Sequence, residues 1–298
     1  MSPIRILSFG EVLFDSFGDT HMLGGAPLNL AAHAALAGAE VYLASAVGYD
    51  ELGEKAVEGA RALGVKTDYV TRVAEKKTGQ CLVTLGEDGS PTYRLLSDVA
   101  YDYIAPPKGE ESFDVLAFGT LALRGEHNRR TLEEILAAHS FGEVFTDLNI
   151  RAPFFSEESI RLCLSAATIV KISDEELPTV TRTLFGESLD PDAAVARIGA
   201  AYPHIRLFLI TLGERGSLCY TGERRYEMPI TPTTAVSTVG AGDSFGATFL
   251  VRYLATRDIP AALRAASVVA AFVVAHRGAV PDGMCAFLKG IRDPFDEA

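Results

Sequence analysis

The densest chemistry in the chain lies at Thr238-Val239-Gly240-Ala241-Gly242-Asp243. Beyond it, Phe245, Phe249, Leu250, Tyr253 and Leu254 recur at helical spacing, so a helix begins at about Gly242. Glycines at a helix start leave backbone N–H groups bare at the positive end of the helix dipole, which makes an anion site. Asp243 falls in that first turn. A carboxylate beside a phosphate is electrostatically awkward unless it works there, for instance by taking the proton of an attacking hydroxyl. Ordinary helix capping by Asp accounts for the same residue without chemistry. No G-x-x-x-x-G-K-[ST] segment occurs, so a P-loop is excluded. The segment from Gly240 to Gly246 approaches a dinucleotide fingerprint, but its third glycine stands one place late and no apolar strand directly precedes it.

Other segments carry polar groups at places where ligands bind. In Gly24-Gly25-Ala26-Pro27-Leu28-Asn29, paired glycines admit a ligand to the backbone, Pro27 suits a helix start and Asn29 offers both donor and acceptor. A plain turn before a helix would look alike. Asp15 could accept two hydroxyl hydrogen bonds, a device for holding polyols, or be an exposed loop acid. Asp147-Leu148-Asn149-Ile150-Arg151 follows an apolar run, at a strand end where α/β sheets place ligands; a surface salt bridge for Arg151 is the alternative. Lys171-Ile172-Ser173-Asp174-Glu175-Glu176 reads locally as a capped helix start. Thr211-Leu212-Gly213-Glu214-Arg215-Gly216 is either a tight turn or a loop against which a flat ligand lies. The six histidines show no pair at ligand spacing, so no metal is assigned to them.

Thr238–Asp243 resembles the signature of the ribokinase-like (PfkB) carbohydrate kinases, and further matches run along almost the whole chain. The resemblance implies ATP-dependent phosphorylation of a small sugar, with Asp243 as catalytic base and the amides of Gly240, Ala241 and Gly242 as anion hole. Gly24–Asn29 resembles the family's G-G-x-P-x-N element, which implies sugar binding by Gly24, Gly25 and Asn29, and Gly10–Asp15 resembles a further family segment, which implies the same of Asp15. Arg151, in a D-x-N-x-R element, would hold a sugar oxygen or steady the phosphoryl group. Glu176 matches the acid of an N-x-x-E element that places Mg²⁺ through water, with Ser173 where many members have Asn. Lys171, Thr211, Gly213, Gly216 and Ser267 fall on the implied nucleotide side. The likeness is strongest to bacterial fructokinases, which implies D-fructose as acceptor and fructose 6-phosphate as product. A kinase of 2-keto-3-deoxygluconate, ribose or a tagatose-type sugar is the alternative, as is a non-catalytic sugar- or nucleotide-sensing relative. Ser237 stands where most relatives have an Asp that helps bind an activating monovalent cation, so K⁺ activation is expected to be weak. Members often pair through a β flap, which implies a homodimer.

These residues need a frame. Apolar runs at 4–9, 41–46, 115–118, 144–147, 168–172 and 207–211 read as strands; helical patterns at 27–37, 51–63, 128–139, 192–201, 243–255 and 260–275 come between or after them. Such alternation predicts an α/β fold with a largely parallel sheet covered on both faces. Thr78–Leu85 and Thr92–Leu96, joined by an Asp88-Gly89 turn, predict a β-hairpin. Together with Phe14–Leu23, too polar and glycine-rich for a core, the hairpin would form a small β lid. The expectation is therefore a ribokinase-like three-layer α/β/α domain over 1–298, with lid segments at about 12–24 and 76–104.

Composition narrows the function classes. A net charge of −12 argues against nucleic acid or an acidic membrane surface as partner. The N-terminus lacks an apolar leader, and no run is long and charge-free enough to span a bilayer. Cys81, Cys163, Cys219 and Cys285 are far apart among apolar residues and are expected in the core, which fits a reducing cytoplasm.

Overall fold

Along β1 (Arg5–Phe9) successive side chains go to opposite faces, and both faces are buried: Leu7 and Phe9 join one apolar core, Ile6 another. Double burial of this kind belongs to a parallel sheet with helices on each side. The computed structural model describes residues 3–85, 91–109, 112–222 and 224–295. Its further strands are β2 (Leu13–Phe17), β3 (Thr20–Gly24), β4 (Glu40–Gly48), β5 (Lys66–Val73), β6 (Gly79–Leu85), β7 (Pro91–Leu95), β8 (Val115–Gly119), β9 (Glu143–Asp147), β10 (Ile169–Ser173), β11 (Leu207–Thr211), β12 (Ser217–Thr221) and β13 (Arg224–Met228). The helices are α1 (Ala26–Leu36), α2 (Glu51–Ala62), α3 (Glu126–Ala138), α4 (Glu157–Ala166), α5 (Leu177–Phe185), α6 (Pro191–Ala201), α7 (Ala241–Thr256), α8 (Ile259–Val274) and α9 (Met284–Phe295).

Nine strands form the main sheet in the order β13-β12-β11-β10-β9-β8-β1-β4-β5. Pairing is parallel from β11 to β5 and antiparallel at β11–β12 and β12–β13. Residues of α3, α4, α5 and α6 pack into one core with Leu7, Phe9, Leu116, Phe118, Ile172 and Ile210. Residues of α1, α2, α7 and α8 pack into the other with Ile6, Val115, Phe145, Ile169 and Leu209. The result is the ribokinase-like three-layer α/β/α fold with a mostly parallel sheet. A second sheet of four strands, ordered β3-β2-β6-β7, forms the lid over a small core of Leu13, Cys81, Val99 and Tyr101.

Helix starts follow local chemistry. Asp50 accepts a 2.8 Å hydrogen bond from Gly53 N at the head of α2, and Asp190 and Asp258 cap α6 and α8 in the same way. Pro27 stands in the first turn of α1, where its missing N–H costs nothing.

β5, β12, β13, α4 and α9 are not among the elements read from the sequence, while the helix start read at Lys171–Glu176 leads into α5. Two sequence expectations need adjustment. Phe14–Leu23 is not wholly outside the core: Phe14 is 3% exposed and packs with the α1 layer, because β2 leaves the main sheet directly from β1. Cys285 is exposed, unlike the other three cysteines, because α9 turns Met284, Phe287 and Leu288 inward and leaves Cys285 on its far face. The Asp88-Gly89 turn lies outside the described residues.

Candidate active site

β1 has β4 on one side and β8 on the other, so the chain leaves it in opposite directions across the sheet. Such a switch point opens a crevice beyond the carboxyl ends of the strands. Here the crevice is lined by Glu11, Pro27, Thr120, Asp147, Asn149 and Asp243, among others. Sequence segments more than two hundred residues apart meet in it: Asn29 Nδ2 donates to Asp243 Oδ2 at 2.7 Å across a separation of 214 residues.

Asp243 stands in the first turn of α7, whose cap is Gly240 with φ 80°. That left-handed turn needs glycine twice over, since a Cβ there would fall 2.6 Å from the Ala279 Cα and carbonyl oxygen. Among the described residues no side chain caps this N-terminus: the Ala241 amide donates to Thr238 O at 3.2 Å, and no acceptor is recorded for those of Gly242 and Asp243. Asn29 spends a donor on Asp243 and thereby fixes the carboxylate as an acceptor aimed at the crevice.

Beneath the glycine turn lies an ion pair removed from solvent. Lys171 Nζ is 2.6 Å from Asp147 Oδ2, and both residues are buried. β9 and β10 bring them together through the register that pairs Lys171 with Asp147. Burial pushes the Asp147 carboxyl up, to about 6, while Lys171 pulls it down and Glu176 and Asp243 raise it further. Burial works against the Lys171 ammonium, yet the surrounding acids, Asp147 first, hold it above the ordinary lysine range. A Cβ at Gly242 would come within 3.2 Å of Lys171 Nζ, so the ammonium sits directly under the backbone of the glycine turn. Among the described residues, Asp147 Oδ1 is buried without a partner.

On the lid side, Gly25 has φ 115° and packs so closely that a Cβ would lie 2.4 Å from the Glu11 carbonyl oxygen. A Cβ at Gly24 would meet Asp15 Oδ2 at 3.7 Å. Burial raises Asp15 above the usual carboxylate range, against a hydrogen bond from Cys81 and the charge of Arg151. Arg151 is exposed on the loop after β9 and acts electrostatically on both Glu11 and Asp15. Glu11 itself is 3% exposed, and its carboxyl is pushed up to about 7, chiefly by burial.

Glu176 braces the loop that carries Arg151. Its Oε1 accepts from Ile150 N at 2.6 Å, and its Oε2 accepts from Ser173 N and Oγ at 2.8 and 2.9 Å. Among the described residues no group of three or more His, Cys, Asp or Glu is arranged to hold a metal ion. The implied Mg²⁺ fits this donor set in the manner of a hydrated ion shared with phosphates, for which the unpartnered Asp147 Oδ1 and the nearby Glu176 supply acidic oxygens. Thr211 ends β11, and Gly213 and Gly216 have φ 58° and 94° in the turn beyond it. Ser267 Oγ is committed to a loop, bonded to Thr231 N at 3.0 Å and Thr231 Oγ1 at 2.9 Å. Ser237 Oγ accepts from Val239 N at 3.3 Å, inside the segment leading to Gly240.

The structure thus gathers Asn29, Asp243, Lys171, Asp147 and Glu11 at the crevice, with Gly24, Gly25, Asp15 and Arg151 on its lid side. Ser267 holds the 229–231 segment, against which Gly216 packs. Glu11 and His33 were not distinguishable in the sequence, because what marks them is burial among residues distant in the chain.

The sequence profile described as pfkB family carbohydrate kinase matches residues 6–283. Among curated proteins, the chain is 28% identical over 271 residues to the probable fructokinase-5 of Arabidopsis thaliana, covering 83% of this chain and 82% of that one. It is likewise 28% identical to the ribokinase of Bacillus subtilis, covering 86% of this chain and 82% of that protein. Among solved structures, a sugar kinase of Pyrococcus horikoshii in complex with ATP superposes with a TM-score of 0.74 at 27% identity, over 92% and 93% of the two chains. The fructokinase of Vibrio cholerae shares the fold with a TM-score of 0.80 at 23% identity, over 96% and 98%.

Proposed function

The chain belongs to the pfkB family of carbohydrate kinases, and from that premise we propose that it transfers the γ-phosphoryl group of ATP to the O6 hydroxyl of D-fructose. The observation that carries the reading is the Asn29–Asp243 hydrogen bond, which places a carboxylate at the mouth of an uncapped, glycine-opened helix. Relatives whose names include fructokinase, and a related sugar kinase solved with ATP, support this choice of substrates.

In this mechanism the sugar lies between the lid and the crevice, with Asp15, the Gly24–Gly25 backbone and Asn29 meeting its hydroxyls. Asp243 accepts the O6 proton as the O6–phosphorus bond forms and the bond to the β-phosphate oxygen breaks, releasing ADP. The Gly240–Gly242 amides meet the negative charge that develops on the phosphoryl oxygens. Lys171, held by Asp147, keeps a positive charge under those amides without exposing it to water. A magnesium ion arriving with the nucleotide would neutralise phosphate charge, with Asp147 and Glu176 as its protein-side oxygens. The lid excludes water that would otherwise hydrolyse ATP.

A coupled ADP-release assay with Mg-ATP and a panel of sugars tests this. Fructose should give the largest kcat/KM, and Asp243→Asn should lose about 10²- to 10⁴-fold in kcat. No turnover with any sugar of the panel, or an Asn variant of near-normal activity, would overturn this mechanism. One observation favours a second acceptor class: Arg151 is exposed beside the lid and makes no ion pair among the described residues, which suits a carboxylated keto sugar such as 2-keto-3-deoxygluconate. The same panel separates the two. Weak K⁺ dependence is also proposed, since Ser237 offers a neutral oxygen already engaged with Val239 N. A large saturable rate increase with K⁺ at fixed ionic strength would contradict it.

A further inference from the structure

Asn29 and His33 stand four positions apart on α1, hence on one face of the helix. Between Pro27 and Ala34 they are the two polar residues in an otherwise apolar buried run. Asn29 holds Asp243. One turn further, His33 is 1% exposed and its Nε2 lies 2.8 Å from the carbonyl oxygen of Ala279. A carbonyl can do nothing but accept, so Nε2 carries the proton and Nδ1 is the lone-pair nitrogen. That Nδ1 is buried with no partner among the described residues. Burial holds the ring below the ordinary histidine range, against the bond to Ala279 and the charge of Asp243. An apolar side chain would fill this place without leaving an orphaned nitrogen, so what the imidazole adds is its N–H.

The acceptor of that N–H is the residue against which the glycine turn is built. Gly240 packs on Ala279 so tightly that a Cβ would fall 2.6 Å from its Cα and its carbonyl oxygen. Fixing the Ala279 carbonyl therefore fixes one wall of the turn that opens α7. Resting on the reading of Asp243 and Gly240–Gly242 as the transfer centre, we propose that His33 is a positioning residue that holds the anion-hole turn through Ala279. One face of α1 then holds both halves of the centre: Asn29 sets the carboxylate and His33 sets the amides. The helix that presents Asn29 to the sugar is thereby registered against the loop that meets the phosphate.

The test compares His33→Leu, His33→Asn and His33→Gln with the wild type, at saturating Mg-ATP and with the sugar that turns over best. The Gln amide reaches about as far as Nε2 and can donate to Ala279; the Asn amide stops short, and Leu has no donor. Leu and Asn should lose about 10- to 100-fold in kcat with KM for the sugar nearly unchanged, and Gln should recover most of that loss. Melting temperatures taken alongside identify a purely structural role, which would lower stability while leaving kcat intact. Wild-type kcat in both Leu and Asn, or an equal fall in all three variants, overturns the assignment. If the Leu protein does not fold, the Asn–Gln pair decides. Asp243→Asn is assayed in parallel: if that variant is fully active the transfer-centre reading fails, whereas active His33 variants beside an inactive Asp243→Asn refute the His33 role alone.

Discussion

Glu11 sits 3% exposed at the end of β1, where burial lifts its carboxyl to about 7. Hydrogen bonds from its own backbone and from Ala26, with the charge of Arg151, pull the other way; Asp243 adds to the rise. In the unfolded chain the same carboxyl titrates near 4.5. The folded state therefore binds this proton more tightly, so the group's contribution to stability is complete below about 4.5 and is lost as pH rises through about 7. The loss amounts to about 3 kcal/mol. Glu11→Gln has no proton to lose. Its urea midpoint should gain on the wild type as buffers step from pH 5 to pH 8, and a difference that stays level across that range would show that Glu11 does not titrate there.

At the scale of elements, the turn between β11 and β12 shows how one residue can commit a loop. Gly216 has φ 94°, and a Cβ would lie 2.1 Å from the backbone oxygen of Met228, an atom with no freedom to move aside. Gly216→Ala should cost about 1–3 kcal/mol of stability and raise KM for ATP, with KM for the sugar unchanged. Thermal melts and initial rates check both, and a wild-type melt would mean that the turn tolerates a side chain. The same region shows what a sequence makes legible. Leu207–Thr211 is a pure apolar run between helical patterns, and it is β11 to the residue. β13, Arg224–Met228, is a mostly exposed edge strand rich in charge, so neither alternation nor apolar run betrays it. Within the site, Asn29 and Asp243 were each readable from the glycines beside them, but not their hydrogen bond. Asp147 lay in a recognisable segment while its pairing with Lys171 depended on sheet register. His33 looked like any helical histidine, because its partner is a backbone carbonyl 246 residues away.

For the molecule as a whole, the lid leaves large apolar side chains exposed. Phe17, Met22 and Tyr93 are 50%, 51% and 64% exposed on β2, β3 and β7, and β3 and β7 are the sheet's open edges. Exposed edges of this kind invite pairing with another strand, and we propose that two lids meet in a homodimer. Light scattering should give twice the chain mass of 31.9 kDa, and Met22→Glu with Tyr93→Lys should halve it. A wild-type monomer at working concentration would rule the pairing out. The placement of β1 at the middle of the sheet also sets a timetable for biosynthesis. β1 pairs early with β4, but its other edge waits for β8, whose approach is marked by the bond between Arg5 and Asp114, 109 residues later. Asn29 must wait 214 residues for Asp243. At roughly 5–20 residues per second on the ribosome, that second wait is roughly 10–40 s. The open edge of β1 closes first, when β8 arrives, and Asn29 meets its carboxylate partner only after about twice as many residues.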